Sequence, residues 1–378
     1  MFKAGGIYLT HKSGTKTLYI TPKVQSVRIL ESPTRLEYVF TVPTGLDPKE
    51  ITKRPWLFAQ VFGEHYELEQ RNKRFILTVY SGRKISNKYD YDAISNTIRR
   101  MKMPIYCGID DNHKPTAFDM LTSPHLLIAG ESGSGKSTQL RSVLTSLILS
   151  KSPSELHFYL ADMKRSEFPL FRRVEHVKAV CTRVSELMVV LTKLRKETER
   201  RGDLLDQFEV THIDDLPRDK QVPYIVLCVD EVALLKKEKE AMEIIEDISA
   251  IGRALGLFLM LSMQRPDSKV LDGKLKVNLT ARMGFRTADA INSRIIGTPG
   301  SERIDISEKG RFCLKMEQQK TLQAPFLSVD RAKELLEPYK VVITEKQDVV
   351  IEQEEEPQEE SEMPIFGLLG GNQDETTR

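Results

Sequence analysis

At 378 residues, 40% of them apolar, the chain can fill two or three domains of roughly 100–200 residues each. Four scattered cysteines (Cys107, Cys181, Cys228, Cys313), no long apolar run and no apolar leader exclude a metal ribbon, a disulfide scaffold, a membrane span and signal-peptide export; a cytoplasmic protein with reduced, buried thiols is expected. The net charge of +2 conceals a division, nine acids against Arg378 in residues 351–378 and an excess of +10 elsewhere, which admits a polyanionic partner such as nucleic acid without requiring one.

In chain order, LEYVFTV (Leu36–Val42) and FILTVY (Phe75–Tyr80) alternate as half-buried strands do. Between them PKEITKRPWLFAQVFG suits a short helix with Ile51, Leu57, Phe58 and Val61 on one side. Residues 1–101 therefore read as a small α+β module, with Trp56 a core or half-buried anchor rather than a partner contact. From about Ile105 short apolar runs alternate with helical stretches, the pattern of a parallel sheet covered on both faces. The expected strands are His125–Ala129, Leu156–Ala161, Tyr224–Val229, Leu257–Ser262 and Ala281–Phe285, within one α/β domain over residues 102–340. Residues 341–378 are charged and poor in aromatics, so a disordered acidic tail is expected. Its apolar island Pro364–Gly371 suits either a docking peptide or an unstructured end.

The segment GESGSGKS fits G-x-x-x-x-G-K-[ST], directly after HLLIA and directly before a helical stretch, the order that a phosphate-binding loop requires. Gly130, Glu131, Ser132, Gly133, Ser134, Gly135, Lys136, Ser137 and Thr138 are expected to cradle ATP through inward-facing backbone N–H groups and a helix N-terminus. Lys136 would sit on the β- and γ-phosphates and the Ser137 hydroxyl on Mg²⁺. YIVLCVDE supplies the second half: Asp230 for the metal, and Glu231 to orient and deprotonate the attacking water. A third strand ends in Met263-Gln264-Arg265-Pro266, where Gln264 is either a sensor of the γ-phosphate or a surface turn residue.

These residues resemble the FtsK/SpoIIIE family of DNA-translocating ATPases across residues 103–335. Met103–Ser137, with Pro124, His125 and Leu126, is similar to the family's short hairpin and P-H-L-L strand before its P-loop. Glu199-Arg200-Arg201 resembles its E-R-R helix, YIVLCVDE its second motif, and Gly252–Pro266 its R-x-x-G…Q-R-P element. The resemblance implies a RecA-like motor, assembly as a homo-hexameric ring on double-stranded DNA, and an arginine finger contributed across subunits. Arg253 is the first candidate for that finger and Arg282 the second; a salt bridge along its own helix is the alternative for Arg253. Lys164, Arg165, Lys269, Lys274 and Lys276 are candidate phosphate contacts, or else solvated surface charges. Asp162-Met163-Lys164 departs from the family's D-P-K, which leaves the role of that loop open.

With no membrane segment before the motor and no winged-helix module after it, a full chromosome-segregating translocase is not expected. The first hundred residues look like the short pre-motor domain of coupling proteins in conjugative elements, plasmids and phages. The expectation is a cytoplasmic Mg²⁺- and ATP-dependent DNA translocase serving a mobile element, with a relaxase, replication or membrane-channel protein as further partner and no direct membrane insertion. An oligomeric ATP-binding adaptor and a type VII-like secretion ATPase are the alternatives.

Overall fold

The computed structural model describes residues 1–31, 34–63, 66–80, 87–271 and 273–341. The acidic tail after Val341 and the Pro364–Gly371 island lie outside the described residues.

The amino-terminal region opens with a hairpin, β1 (Leu9–Ser13) and β2 (Lys16–Ile20). It continues through β3 (Lys23–Glu31), β4 (Thr34–Thr41), α1 (Lys49–Thr52), α2 (Pro55–Phe62), β5 (Tyr66–Arg71) and β6 (Arg74–Tyr80). Strands β3 to β6 form an antiparallel sheet in the order β3-β4-β6-β5, and Phe40, Phe75 and Leu77 pack from it onto Ile51, Leu57 and Phe58. The single helix expected here is two, because Pro55 has no N–H with which to extend α1 and instead opens α2. Phe62 packs against Tyr38 where Val61 was expected, one helix position on, which turns Val61 out to 53% exposure. Trp56 is also outside the core, 51% exposed, on the side of α2 away from Leu57 and Phe58.

Next come α3 (Tyr91–Ile98), the hairpin β7 (Pro104–Ile109) and β8 (Pro115–Asp119), β9 (Leu126–Ala129), α4 (Lys136–Ser150), β10 (Leu156–Ala161) and β11 (Val177–Cys181). They are followed by α5 (Val184–Gln207), β12 (Tyr224–Val229), α6 (Lys239–Leu255), β13 (Leu257–Met263), α7 (Gly273–Asn278) and β14 (Ala281–Phe285). The last are α8 (Ala290–Ile296), β15 (Arg311–Lys315), β16 (Gln319–Gln323) and α9 (Val329–Leu336). The strands form one ten-stranded sheet in the order β11-β10-β12-β13-β9-β14-β15-β16-β7-β8. The five strands expected from apolar runs are its centre, paired in parallel, and β11 adds a further parallel strand at the edge. From β14 onward the pairing is antiparallel through β15, β16, β7 and β8.

Alternation explains why these runs read as continuously apolar. In β12, Ile225, Leu227 and Val229 face α5 and α6, while Val226 and Cys228 face α4; β9 divides likewise. A strand covered on both faces needs apolar residues at every position. Helix α3 packs onto β7 and β8 through Ile94, Ile98 and Tyr106, joined by Leu327 and Ala332 near α9. All four cysteines are buried and free.

Candidate nucleotide site

Parallel strands all end on the same edge of the sheet, so the loops after β9, β10, β12 and β13 converge there. The loop after β9 is tied down at both ends: Gly130 N–H donates to the Met263 carbonyl (3.2 Å) and Glu131 N–H to the Arg286 carbonyl (2.9 Å). The Glu131 carboxylate also pairs with the Arg286 guanidinium at 2.6 Å. Glycine is required at two points. Gly130 has φ +154° with the space for a Cβ 2.6 Å from Phe285, and Gly135 has φ +109° with that space 2.7 Å from Gly310. Between them the Ser134 hydroxyl donates to the Glu131 carbonyl (2.7 Å), and the Ser134 carbonyl accepts from Gly310 N–H (2.8 Å). Gly135 then opens α4 without a side-chain cap, leaving the helix's first N–H groups directed at the loop.

Lys136 is 3% exposed; its Nζ donates to Ser262 Oγ at 2.7 Å and to Asp230 Oδ1 at 3.1 Å. Strand alternation brings the three together. Ser262 is in phase with Phe258 and Met260 on the α4 face of β13, and Asp230 continues the phase of Val226 and Cys228 at the end of β12. The next residue, Glu231, is directed the other way. It is 5% exposed, with Oε2 2.7 Å from Lys164 Nζ and its oxygens accepting from Gln264 N–H at 3.2 and 3.3 Å. Two adjacent acids thus serve two separate positions.

Against the loop lies a cavity of about 660 Å³ whose lining includes Ser132, Gly133, Lys136, Ser137, Thr138 and Gln264. The opposite wall was not anticipated from the sequence: Asn87, Ser166 and Glu167, the turn Lys309-Gly310, and Gln323 to Phe326. Ser262 and Arg286 were also missed; the only local signal was a lone polar residue closing an apolar run at Ser262. The residues fit a nucleotide triphosphate with Mg²⁺. Gly133 has φ +77° with open space beside it, α4 supplies a helix N-terminus, and Ser137 and Asp230 offer the two oxygens that a largely hydrated Mg²⁺ takes from protein. Among the described residues no cluster of three or more His, Cys, Asp or Glu side chains forms a separate metal site.

Other motif residues are used architecturally. His125 is fully buried at φ +63°, and its Nδ1 accepts from Leu259 N–H at 3.0 Å. Burial holds its imidazole down to about 4. Arg201, 1% exposed, donates to the carbonyls of Leu255 (2.7 Å) and Pro223 (2.8 Å) and to Glu197 (2.7 Å). Burial raises the Glu197 carboxyl, but the guanidiniums of Arg200 and Arg201 outweigh it and hold the group at about 2. Gly252 lets α6 approach β13, where a Cβ would stand 2.4 Å from the Leu257 carbonyl.

Arg253 is exposed in the last turn of α6 and makes no ion pair among the described residues. It lies at the start of β13, opposite the edge that bears the P-loop. Arg282 is turned inward onto the carbonyls of Leu279 and Lys276, so its guanidinium is already committed. Lys276 donates to the Arg294 carbonyl at 3.0 Å, close to the end of α8. Arg165, Lys269 and Lys274 are exposed.

A glycine-rich loop opening a helix, beside a parallel strand that ends in an acid pair, defines a P-loop ATPase. Residues 90–268 match the model of the FtsK/SpoIIIE family, and this stretch is an ATPase domain of that type. The chain is 35% identical over 250 residues to the DNA translocase FtsK of Borreliella burgdorferi, covering 63% of this chain and 30% of that protein. It is 34% identical over 227 residues to FtsK of Tropheryma whipplei, covering 56% and 31%. The chain thus spans about a third of the length of these curated relatives. In fold it is similar to the pCW3 conjugation coupling protein TcpA, solved in a monomer form with ATPγS: TM-score 0.61, 21% identity, 89% of this chain and 97% of that one. It is also similar to the cytoplasmic domain of the type VII secretion ATPase EccC of Thermomonospora curvata: TM-score 0.57, 25% identity, 63% and 31%. No helix among the described residues is long and apolar enough to cross a membrane.

Proposed function

We propose that the protein is a cytoplasmic, Mg²⁺-dependent ATPase that translocates double-stranded DNA as a homo-hexameric ring, serving the transfer or mobilisation of a mobile element. The observation that carries this reading is the division of the acid pair, Asp230 beside Lys136 and Glu231 beside Gln264 N–H, within a domain related to DNA translocases. The likeness to a coupling protein along 89% of the chain, amino-terminal region included, supports the finer placement. In this reading residues 1–101 and the tail from 341 engage a relaxase, replication or membrane-channel protein, and residues 102–340 are the motor.

The chemistry follows from the groups present. The loop from Gly130 to Thr138 binds the phosphates, and Lys136 exchanges its contacts with Asp230 and Ser262 for the β- and γ-phosphate oxygens. Ser137 and Asp230 would hold Mg²⁺, which would supply positive charge to offset that of the phosphate oxygens. Glu231 orients a water for in-line attack and accepts its proton, and Gln264 reports the γ-phosphate to the strand that joins both. Arg253, on the far edge of its own sheet, can serve only a neighbour's nucleotide, the place a ring gives an arginine finger.

The test is ATP turnover with and without duplex DNA, beside mass measurement of the assembly. Stimulation by duplex in a ring is expected. Stimulation by a secreted peptide and not by DNA would favour the secretion reading that the EccC likeness raises. Negligible turnover in an intact oligomer would favour an adaptor.

A further inference from the structure

The loop after β10 departs from its family pattern, and its geometry connects three things. The Asp162 carboxylate, 1% exposed, accepts from the N–H groups of Ser166 (3.0 Å), Glu167 (3.1 Å) and Phe168 (3.0 Å). Phe168 is buried beneath and Arg165 takes a left-handed φ of +56°, so the loop has a fixed base and a projecting tip. From the tip Lys164 reaches Glu231 Oε2 at 2.7 Å, with the lysine side chain 33% exposed against 7% for the glutamate. Ser166 and Glu167 meanwhile line the nucleotide cavity. One short loop therefore touches the candidate general base, the cavity wall and solvent.

We infer that Lys164 is a positioning residue that restrains Glu231, and that a DNA backbone phosphate, by drawing Lys164 away, frees the carboxylate to orient water. Among the described residues the Glu231 carboxylate holds two partners, the Lys164 ammonium and Gln264 N–H; only the first can leave without moving the sheet. An ammonium exchanges a carboxylate for a phosphate with like charge and like hydrogen bonds, so the exchange is close to balanced and a high local phosphate concentration decides it. Arg165, exposed beside it, adds a second cation to the same approach. The inference rests on the proposed DNA reading for its trigger but not for the restraint itself.

The experiment measures steady-state ATP turnover of the full chain, without DNA and with saturating duplex, for the wild type, Lys164→Ala and Lys164→Arg. Lys164→Ala is expected to raise DNA-free turnover by about tenfold, a small part of what a freed general base supplies, with KM for ATP unchanged and stimulation by duplex largely lost. Lys164→Arg, which can still pair with Glu231, should restore a low DNA-free rate and the response to duplex. A DNA-free rate in Lys164→Ala equal to or below that of the wild type, at an unchanged melting temperature, overturns the restraint. A wild type that duplex does not stimulate overturns the phosphate trigger and the DNA reading together, and a raised Lys164→Ala rate in that case still upholds the restraint. Stimulation of the wild type by an acidic peptide instead would assign the trigger to a protein substrate and overturn DNA in that role.

Discussion

The two ends of the parallel strands carry motif residues of opposite kinds. At the carboxyl ends Lys136 and Gln264 line a cavity, and the buried carboxylates of Asp230 and Glu231 are bonded to the Lys136 ammonium and to Gln264 N–H. At the amino ends His125, Arg201 and Gly252 are consumed by the protein itself: a ring nitrogen on Leu259 N–H, a guanidinium on two carbonyls, and a missing side chain where a helix meets a strand. A pattern of residues marks both ends with equal emphasis. What separates chemistry from architecture is whether the polar groups border a cavity or lie wholly within the packed core.

The largest effect that separates the ends is expected at Glu231. Glu231→Gln keeps the shape and the Gln264 contact but removes the base, so turnover at saturating ATP should fall by about a hundred- to ten-thousand-fold with the melting temperature nearly unchanged. Survival of DNA-stimulated turnover would remove the carboxyl edge from its role. Arg201→Met should do the converse. It keeps the buried stem but leaves the Leu255 and Pro223 carbonyls unpaired and Glu197 without its buried partner, for a loss of about 3–5 kcal/mol in urea unfolding. Turnover per folded molecule should hold.

The sequence made the carboxyl end legible because its signals are local. A loop of fixed spacing follows a short apolar run, and an acid pair follows another, so Lys136, Asp230 and Glu231 could be named from their neighbours alone. The rest depends on partners distant in the chain. Ser262 and Arg286 enter the site only because β13 and β14 flank β9, and Gln323 to Phe326 only because an antiparallel edge folds back over the loop. That edge was itself hidden: β15 and β16 are short and partly exposed, without the unbroken apolar run that revealed the central strands. In the amino-terminal region β3 is an exposed edge strand and gave no alternation to read. Arg201 shows the opposite failure, a prominent motif residue whose use is visible only once α5 lies against the start of β12 and the end of α6.

His125 distinguishes the two ends through pH. In the folded protein its imidazole is held down to about 4, whereas the unfolded chain protonates it near 6.5. Between those values the unfolded state takes up a proton that the folded state refuses. The stability present above pH 6.5 is therefore lost as pH falls toward 4, by about 3 kcal/mol if this group acts alone. His125→Asn, which tolerates the left-handed backbone, should flatten that part of the urea-midpoint profile relative to the wild type. Equal slopes for the two proteins would take His125 out of the architectural set.

Arg253 is the exception among the amino-end residues, and its expected effect on the fold is the smallest. It sits at the amino end yet is exposed and makes no ion pair among the described residues, so Arg253→Ala should change unfolding free energy by no more than about 0.5 kcal/mol. If it serves a neighbour's nucleotide, turnover of the assembled protein nevertheless collapses, and mixing distinguishes this from a structural fault. In a 1:1 mixture with Glu231→Gln, a productive interface needs an intact Glu231 on the site subunit and an intact Arg253 on the next. Random assembly of a ring meets that condition at about a quarter of interfaces, so about a quarter of wild-type turnover should return from two inactive proteins. No recovery, with mixed assemblies confirmed by mass, would leave the amino ends of the strands purely architectural.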